Sequence, residues 1–456
     1  MLSFFKNILH RLLGEEMDGK IRSYFLKGSF KSLFLQTALS LLTFLTTIVV
    51  AQLTGDKGFG IYSLVFTWVS IVSVAATMGL DDLVLKQLPI LDSKNDGPGI
   101  SAIVRWTHHK ALIAGLTIAA AYMLLTRYSG IPGLSDYAEF HYWGALSIPF
   151  FVLMHLNQAS MRGLGKLGQG QVAEKVIQPL FFLILLVVVF ICGVTITDRE
   201  AIIFRAGSFT IAALIAFLLL YRVTSKFPKT KIDRTNHKIW LKSCFYFMVS
   251  SLLYTINTRI DIVFLGIYQI EPEQIAYYNV ALKFSDIALI PFLVVCTVTT
   301  PMFSSLYHQG KIKELQIFYT RITALSTILI TFILISFIAL GPWLLTWYGK
   351  SFQAGYPVLV LLCITKFVHV FVGPAAYLLA MVGQEKAVMK ALFISVLFTI
   401  ILQIILVPLF EIMGAAYATL GGLFVFDVVV GWIAYKKTGI LVTAIGKFIS
   451  KQTKNP

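Results

Sequence analysis

The stretch LFISVLFTIILQIILVPLF, from Leu392 to Phe410, contains no charged side chain. About twenty such residues, wound as one α-helix, cross the roughly 30 Å hydrocarbon core of a bilayer. Hydrocarbon offers no water to the backbone amides, so a spanning segment this apolar must form its hydrogen bonds internally. The stretch therefore predicts a transmembrane α-helix.

The rest of the chain has the same character. Of its 456 residues 57% are apolar and 13% are charged, against about 25% charged in soluble domains, and the mean hydropathy is +0.80. A large soluble core would need helices with polar faces, which these segments lack. The sequence predicts an all-α polytopic membrane protein of about twelve spans. They lie near 33–54, 59–88, 101–126, 141–164, 172–194, 201–223, 240–269, 274–306, 316–347, 354–382, 387–409 and 412–435.

The formal net charge of +16 is distributed unevenly along the chain. Lys and Arg cluster in every second loop, as expected when cytoplasmic loops retain positive charge. This pattern argues against a nucleic-acid-binding face and predicts that both termini are cytoplasmic. The other loops, predicted to be outer, carry mainly acids such as Asp136, Glu139, Glu271, Glu273 and Glu411.

Two motifs recur along the chain. FGIYSLVF (Phe59–Phe66) resembles IAYYNVAL (Ile275–Leu282), and GLGKLGQG (Gly163–Gly170) resembles MVGQEKAV (Met381–Val388). The two offsets are similar, which indicates an internal repeat. Two six-helix halves related in this way favour alternating access to a site between them. The predicted organisation is an amphipathic cytoplasmic segment (1–32), a first lobe (33–223), a linker (224–239), a second lobe (240–436) and a basic cytoplasmic tail (437–456).

The motifs resemble one family in their order along the whole chain. LTGDKGFGIYSL (Leu53–Leu64) is similar to the turn between the first two helices of Wzx-type polysaccharide exporters, although Asp56-Lys57 stands where a proline-containing turn is common. SSLLYTINTRIDIVFLG (Ser250–Gly266) resembles their seventh helix. The segments at Arg162–Leu180 and Gly373–Lys386 resemble their junctions after helices 4 and 10.

The resemblance implies a flippase of the multidrug/oligosaccharidyl-lipid/polysaccharide (MOP) superfamily with a MATE-like fold. Such O-antigen and capsule flippases move undecaprenyl-pyrophosphate-linked oligosaccharides from the cytoplasmic to the periplasmic leaflet of the bacterial inner membrane. The implied partners are the lipid-linked substrate, the bilayer and other polysaccharide-assembly membrane proteins. The resemblance implies no enzymatic activity and no catalytic residue.

Charged residues within the predicted helices give a physical argument of their own. Ionisable groups at membrane depth are costly and usually face a bundle interior or a water-filled cavity. In one interpretation they only neutralise one another; in the other, the cations bind the pyrophosphate, with arginine offering a planar fork for its oxygens. The candidate substrate-binding residues are Asn257, Arg259, Lys283, Lys366 and His369.

Three carboxylates complete the candidate set. Asp261, Asp286 and Asp427 could bind a coupling H⁺ or Na⁺, or only form ion pairs with the cations. The four cysteines stand singly in apolar segments without metal-ligand spacing, so the sequence predicts no metal site and no other cofactor.

Two other functions stay open. A cation-coupled multidrug antiporter of the same superfamily would suit a cavity dominated by carboxylates and aromatic rings, whereas intramembrane Lys and Arg favour an anionic substrate. A membrane-bound polysaccharide polymerase or ligase usually needs a sizeable extramembrane domain, and the longest polar segment here is the linker 224–239.

Overall fold

The computed structural model describes residues 19–193, 196–228 and 234–444, with side chains from residue 41 except 167–168, 234–239 and 297–298. The described backbone is helical and contains no strand, which confirms the predicted all-α class. The α-helices are α1 (Gly19–Thr77), α2 (Leu80–Ser93), α3 (Gly97–Tyr128), α4 (Ala138–Ala145), α5 (Ile148–Gly163), α6 (Leu167–Val172), α7 (Gln178–Ile191), α8 (Asp198–Thr224), α9 (Arg234–Ile267), α10 (Pro272–Ala288), α11 (Ile290–His308), α12 (Ile312–Leu345), α13 (Tyr356–Val372), α14 (Ala375–Met381) and α15 (Glu385–Thr438).

Within the described residues, nine helical segments are long and apolar enough to cross a membrane, which confirms a multi-pass protein. Two of them each contain two predicted spans. Gly55 (φ 72°) divides α1 and Glu411 (φ 50°) divides α15, close to the predicted turns. The predicted fourth span is split into α4 and α5, each too short to cross alone, so the nine segments are consistent with about twelve spans.

Several helices that the sequence predicts to be continuous are broken in the structure. The fourth, eighth and tenth are interrupted just before Pro149, Pro291 and Pro374. Proline has no N–H to donate and disfavours helical backbone in the residue before it, so a new helix begins there. The predicted second helix, 59–88, also breaks, because Met78 and Gly79 adopt positive φ.

The chain forms two compact units. Within the described residues, the first unit contains 41–279 and 347–352, and the second contains 280–346 and 353–444, together with 19–40. The unit boundary at Asn279 differs from the predicted lobe boundary at 224–239, because α9 and the start of α10 pack against the helices before them. Compactness and internal repetition are different properties, so the six-plus-six division stays a prediction. Residues 1–18, 229–233 and 445–456 of the predicted terminal segments and linker lie outside the described residues.

Glycine contacts show how closely α9 packs within the first unit. A Cβ at Gly79 would lie 2.4 Å from the carbonyl oxygen of Cys244, and one at Gly266 would lie 2.6 Å from the side chain of Leu64. The first contact is with backbone and admits only glycine, and the second would force Leu64 to move, so α9 is packed closely against the segment that joins α1 to α2 and against α1. The first unit also buries Phe59 and Phe182, and the second buries Phe303 and Tyr319.

Candidate functional site

In the first unit, α9 carries the three predicted site residues Asn257, Arg259 and Asp261. They belong to a predicted polar arc, called here the α9 polar face: Ser250, Ser251, Tyr254, Thr255, Asn257, Thr258, Arg259 and Asp261. Most of these side chains are partly exposed, Tyr254 and Thr258 are exposed, and Asp261 is buried. A helix half polar within a membrane span requires a wet or polar neighbour on that side.

Asp261 has a specific partner. Its carboxylate accepts a hydrogen bond of 2.5 Å from the hydroxyl of Tyr278 on α10, and its other oxygen accepts from the backbone N–H of Ile262. Sequence reasoning did not select Tyr278 as a site residue. The internal repeat could have pointed to this residue, because Tyr62 and Tyr278 occupy the same position in the two related motifs.

Arg259 differs from Asp261 in its exposure and in its contacts. Its side chain is partly exposed, and among the described side chains no ion pair or hydrogen bond engages its guanidinium. Asn257, two residues earlier on the same helix, is partly exposed and is engaged by neighbouring groups. The α9 polar face therefore presents a cation whose charge no described carboxylate neutralises.

The second unit brings four of the other predicted residues together in pairs. Lys366 Nζ lies 2.8 Å from a carboxylate oxygen of Asp286, joining α13 to α10. One turn along α13, His369 Nδ1 lies 2.9 and 3.1 Å from the two oxygens of Asp427 on α15. We call Asp286, Lys366, His369 and Asp427 the paired cluster. Lys283, on α10, is partly exposed and also has a partner.

Burial differs between the two pairs. Asp427 is 4% exposed, whereas the Asp286 side chain is 47% exposed. Burying a carboxylate is costly unless it is paired and hydrogen-bonded, so Asp427 depends on His369 more than Asp286 depends on Lys366. These four residues are therefore paired with one another in this structure, and a role in binding substrate or a coupling ion stays a prediction.

A small cavity adjoins the buried pair. Its volume is about 30 Å³, enough for a single water, and its lining includes Phe292, Tyr377 and both members of the His369–Asp427 pair. The break between α13 and α14 also lines it, at Gly373 (φ 85°) and Pro374. A broken helix beside a buried carboxylate offers polar groups at membrane depth.

One further cation, Arg205 on α8, lies among aromatic rings. Its guanidinium carbon is 5.2 to 5.8 Å from the centroids of Tyr62, Phe66, Phe182 and Phe209. The faces of aromatic rings attract a cation electrostatically. No carboxylate pairs with Arg205 among the described residues, so four rings take that role. This aromatic surrounding was not predicted from the sequence.

Comparison with known proteins bears on the whole chain. The model of a family described as "Polysaccharide biosynthesis protein" matches residues 25–307, more than half of the chain. The probable flippase AglR of Haloferax volcanii is 22% identical over 378 residues, covering 82% of this chain and 76% of that protein.

Two solved structures are similar in fold. An inward-facing multidrug resistance MATE family transporter of the MOP superfamily superposes with a TM-score of 0.73 at 14% identity, covering 92% of this chain and 96% of the other. The lipid II flippase MurJ, in an inward closed conformation, gives a TM-score of 0.69 at 12% identity, covering 94% and 93%. Both similarities extend over nearly the whole chain and confirm the predicted MOP-type fold.

Proposed function

The chain belongs to the family of polysaccharide biosynthesis proteins, and on that premise we propose that it is a flippase for lipid-linked oligosaccharides. The observation that carries the proposal is Arg259, a cation within a membrane span that no described carboxylate neutralises. Intramembrane cations normally face a cavity or a partner. The guanidinium fork matches the oxygens of a phosphate or pyrophosphate that has lost its water.

The proposed step contains no covalent chemistry. The cavity open to the cytoplasm takes the sugar and pyrophosphate head group, while the polyprenyl tail stays in the bilayer. The two lobes then rock and release the head group on the other side. The proposed setting is the bacterial inner membrane with both termini cytoplasmic, as the distribution of Lys and Arg favours. The proposed substrate is an undecaprenyl-pyrophosphate-linked repeat unit for O-antigen or capsule.

The paired cluster is our candidate for ion coupling. The His369–Asp427 pair lies beside a cavity with room for water. In the proposed coupling, the pair gains a proton, or exchanges a proton for Na⁺, when the transporter changes the side to which its cavity opens. The Lys366–Asp286 pair can open, because the aspartate is half-exposed. Lys366 then becomes a second cation for the head group, and its carboxylate partner keeps the empty site neutral.

The names of one sequence relative and one structural neighbour support this substrate class. One is described as a probable flippase and the other as a lipid II flippase. The multidrug antiporter is the second candidate, because another structural neighbour is a multidrug resistance MATE family transporter. The unneutralised cation on α9 favours an anionic substrate over a cationic drug.

The test is the sidedness of lipid-linked oligosaccharide in cells lacking the protein, reported by a periplasmic enzyme that modifies exposed sugar. We expect complete repeat units to accumulate and to stay inaccessible from the periplasm, with access restored by the wild-type gene. Accumulation of fully accessible units would instead indicate a polymerase or ligase. Unchanged lipid-linked sugar with greater drug sensitivity would indicate the antiporter.

A further inference from the structure

Arg205 on α8 is a second cation, within a candidate membrane span of the first unit, that no described carboxylate neutralises. Its side chain is partly exposed, yet its Nε is buried and has no hydrogen-bond partner among the described residues. A snorkelling arginine would hold its guanidinium in the headgroup water, whereas this one lies between rings of α1, α7 and α8. Rings attract a cation but carry no net charge, so this place keeps one positive charge.

The second polar group here is the hydroxyl of Tyr62 on α1. Tyr62 is 5% exposed, and its hydroxyl lies beside Arg205 without hydrogen-bond geometry to any described atom. Leaving a buried hydroxyl without a partner costs free energy. Beside a cation that no acid neutralises, such a hydroxyl offers a donor to an anion.

The internal repeat indicates which anion these two groups suit. Tyr62 and Tyr278 occupy the same position in the motifs FGIYSLVF and IAYYNVAL. In the second motif the tyrosine hydroxyl donates to the carboxylate of Asp261 at 2.5 Å. In the first motif the neighbouring charged group is the guanidinium of Arg205 instead of an acid. A carboxylate from a ligand would complete the first arrangement as Asp261 completes the second, and the planar fork of arginine binds both oxygens of a carboxylate.

Contacts from α7 and α8 hold Arg205 in position. A π-helical turn, Ala173–Ile177, precedes α7, and such turns are frequent at functional sites. Directly after it, Gln178 donates a hydrogen bond of 2.8 Å to Ser208, whose hydroxyl donates at 2.7 Å to the backbone carbonyl of Arg205. Phe182, one turn after Gln178, places its ring against the guanidinium. These contacts fix both the backbone of Arg205 and one wall around its side chain.

Aromatic rings also line the open side of this place. The ring centroid of Phe66 lies 5.2 Å from the guanidinium carbon of Arg205. From Phe66, ring contacts run through Phe209 to Phe151 and then to His155, with centroid separations of 6.4, 5.4 and 4.3 Å. Phe66, Phe151 and His155 are partly exposed. Ligand sites combine such rings with a few polar groups that fix orientation, and the apolar ring faces pack against the C–H groups of a sugar.

Charge separates an acidic sugar from a pyrophosphate as the ligand. The residues described above supply one permanent cation, Arg205, and a sugar carboxylate carries one negative charge. A pyrophosphate carries more than one negative charge, so Arg205 alone would leave part of it uncompensated. Uncompensated charge at membrane depth is costly. A sugar carboxylate is therefore the better match.

We propose that Arg205 and Tyr62 form a second binding subsite, which recognises the carboxylate of an acidic sugar in the oligosaccharide. This inference rests on the proposed transport of lipid-linked oligosaccharides and names a class of sugar within that substrate. The guanidinium neutralises the carboxylate and the Tyr62 hydroxyl donates to it. The rings from Phe66 to His155 pack against the sugar.

The first experiment measures binding of small sugars to the purified full-length protein in detergent by ligand-observed NMR. The probes are methyl glucuronide, which has a carboxylate, the neutral methyl glucoside, and inorganic phosphate. We expect saturable binding of the glucuronide, at least about ten-fold tighter than that of the glucoside, because hydrogen bonds to a charged group are lost with the neutral sugar. Equal affinity for the two sugars, preference for phosphate, or no saturable binding of the glucuronide would overturn the proposal.

Two variants separate ligand recognition from packing. Tyr62→Phe removes only a hydroxyl that has no hydrogen-bond partner among the described residues, so we expect about ten-fold weaker binding of the glucuronide at an unchanged melting temperature. Arg205→Gln should weaken binding at least as much. Tyr221→Phe is the matched control, because Tyr221 is exposed on the same helix as Arg205, and it should change neither property. Wild-type binding by Tyr62→Phe, or weaker binding only together with a lower melting temperature, would contradict recognition by the hydroxyl.

The second experiment asks whether the subsite selects substrate during export. Flippase-deficient cells that make a repeat unit with an acidic sugar, and cells that make a neutral one, each receive wild type or Arg205→Gln. We expect the variant to lower export of the acidic unit about ten-fold and to leave export of the neutral unit nearly unchanged. Equal losses for both units would overturn selection of acidic sugars. Export of neither unit by wild type, with glucuronide binding intact, would count against the proposed function and not against the subsite.

Discussion

The α9 polar face and the paired cluster both place charge inside candidate membrane spans, yet they neutralise it differently. In the paired cluster, Lys366 meets Asp286 at 2.8 Å and His369 meets Asp427 at 2.9 Å. On the α9 polar face, Asp261 takes a hydroxyl partner, and Arg259 has no described carboxylate beside it. Charge at membrane depth is retained either because it is paired or because a ligand completes it. In this structure the paired cluster is neutralised by pairing, and we propose a ligand for Arg259.

Replacing Arg259 should have the largest effect. We expect Arg259→Gln to lower export to the background of cells without the protein, while its amount in the membrane stays within two-fold of wild type. Arg199→Gln is the matched control, because Arg199 forms an exposed ion pair with Glu139. The assay is periplasmic modification of lipid-linked sugar. Wild-type export by Arg259→Gln would place Arg259 in the same class as the paired cluster.

Removing the buried carboxylate of the paired cluster should act on stability. We expect Asp427→Ala to destabilise the protein by about 1–3 kcal/mol, because His369 loses its hydrogen-bond partner in a buried site. Asp427→Asn keeps an oxygen acceptor and should cost less. Thermal unfolding of detergent-purified protein measures both. Equal losses in the two variants would contradict a role for the hydrogen bond.

Breaking the half-exposed pair should cost less again. We expect Lys366→Met alone to destabilise the protein by about 1 kcal/mol, because the Asp286 side chain it leaves is half-exposed. Asp286→Leu should cost somewhat more, because it leaves the 13% exposed Lys366 without its carboxylate. The double variant should recover part of the loss, as coupled neighbours do. Export separates two roles for Lys366. Full export by the double variant indicates pairing alone, and lost export at normal stability indicates contact with substrate.

The smallest expected effect is a dependence on pH at Asp136, in a loop predicted to be outer. The backbone N–H of Gly133 and the side chain of Gln269 donate to Asp136, and these bonds lower the pKa of its carboxyl below 3.8. Because the pKa of Asp136 is lower in the folded protein than in the unfolded chain, its ionised form stabilises the fold at any pH above the unfolded-state pKa. That stabilisation is lost as the pH falls through the folded-state pKa. We expect the melting temperature of purified Asp136→Asn protein to fall less than that of wild type when the pH is lowered from about 5 to about 3. Parallel profiles for the variant and wild type would contradict this.

Sequence patterns predicted the class of fold from general physics. Apolar stretches such as Leu392–Phe410 must be helices in hydrocarbon, because no other arrangement of a single segment satisfies its backbone. The turn near Gly55 also followed from the sequence. The breaks before Pro149, Pro291 and Pro374 could have been predicted from the prolines, but apolar runs on either side concealed them.

For the candidate site, the sequence identified which side chains are charged at membrane depth but not which ones pair. Lys366, His369 and Arg259 are alike in sequence terms, each being a basic group in an apolar helix. Lys366 meets Asp286 from eighty positions away along the chain, and no local pattern specifies such a contact. Tyr278 was missed for the same reason, since its hydroxyl on α10 reaches Asp261 on α9, seventeen positions away.

The sequence by itself therefore determined the membrane environment, the helical class and the repeated motifs, because these depend on composition and on local periodicity. Only the tertiary structure decided which charges neutralise one another, that Arg205 lies among four rings, and that Gly60 and Gly133 pack against the distant backbone of Pro272 and Gly266. Those properties depend on distances between segments far apart in the chain, which packing sets and composition does not.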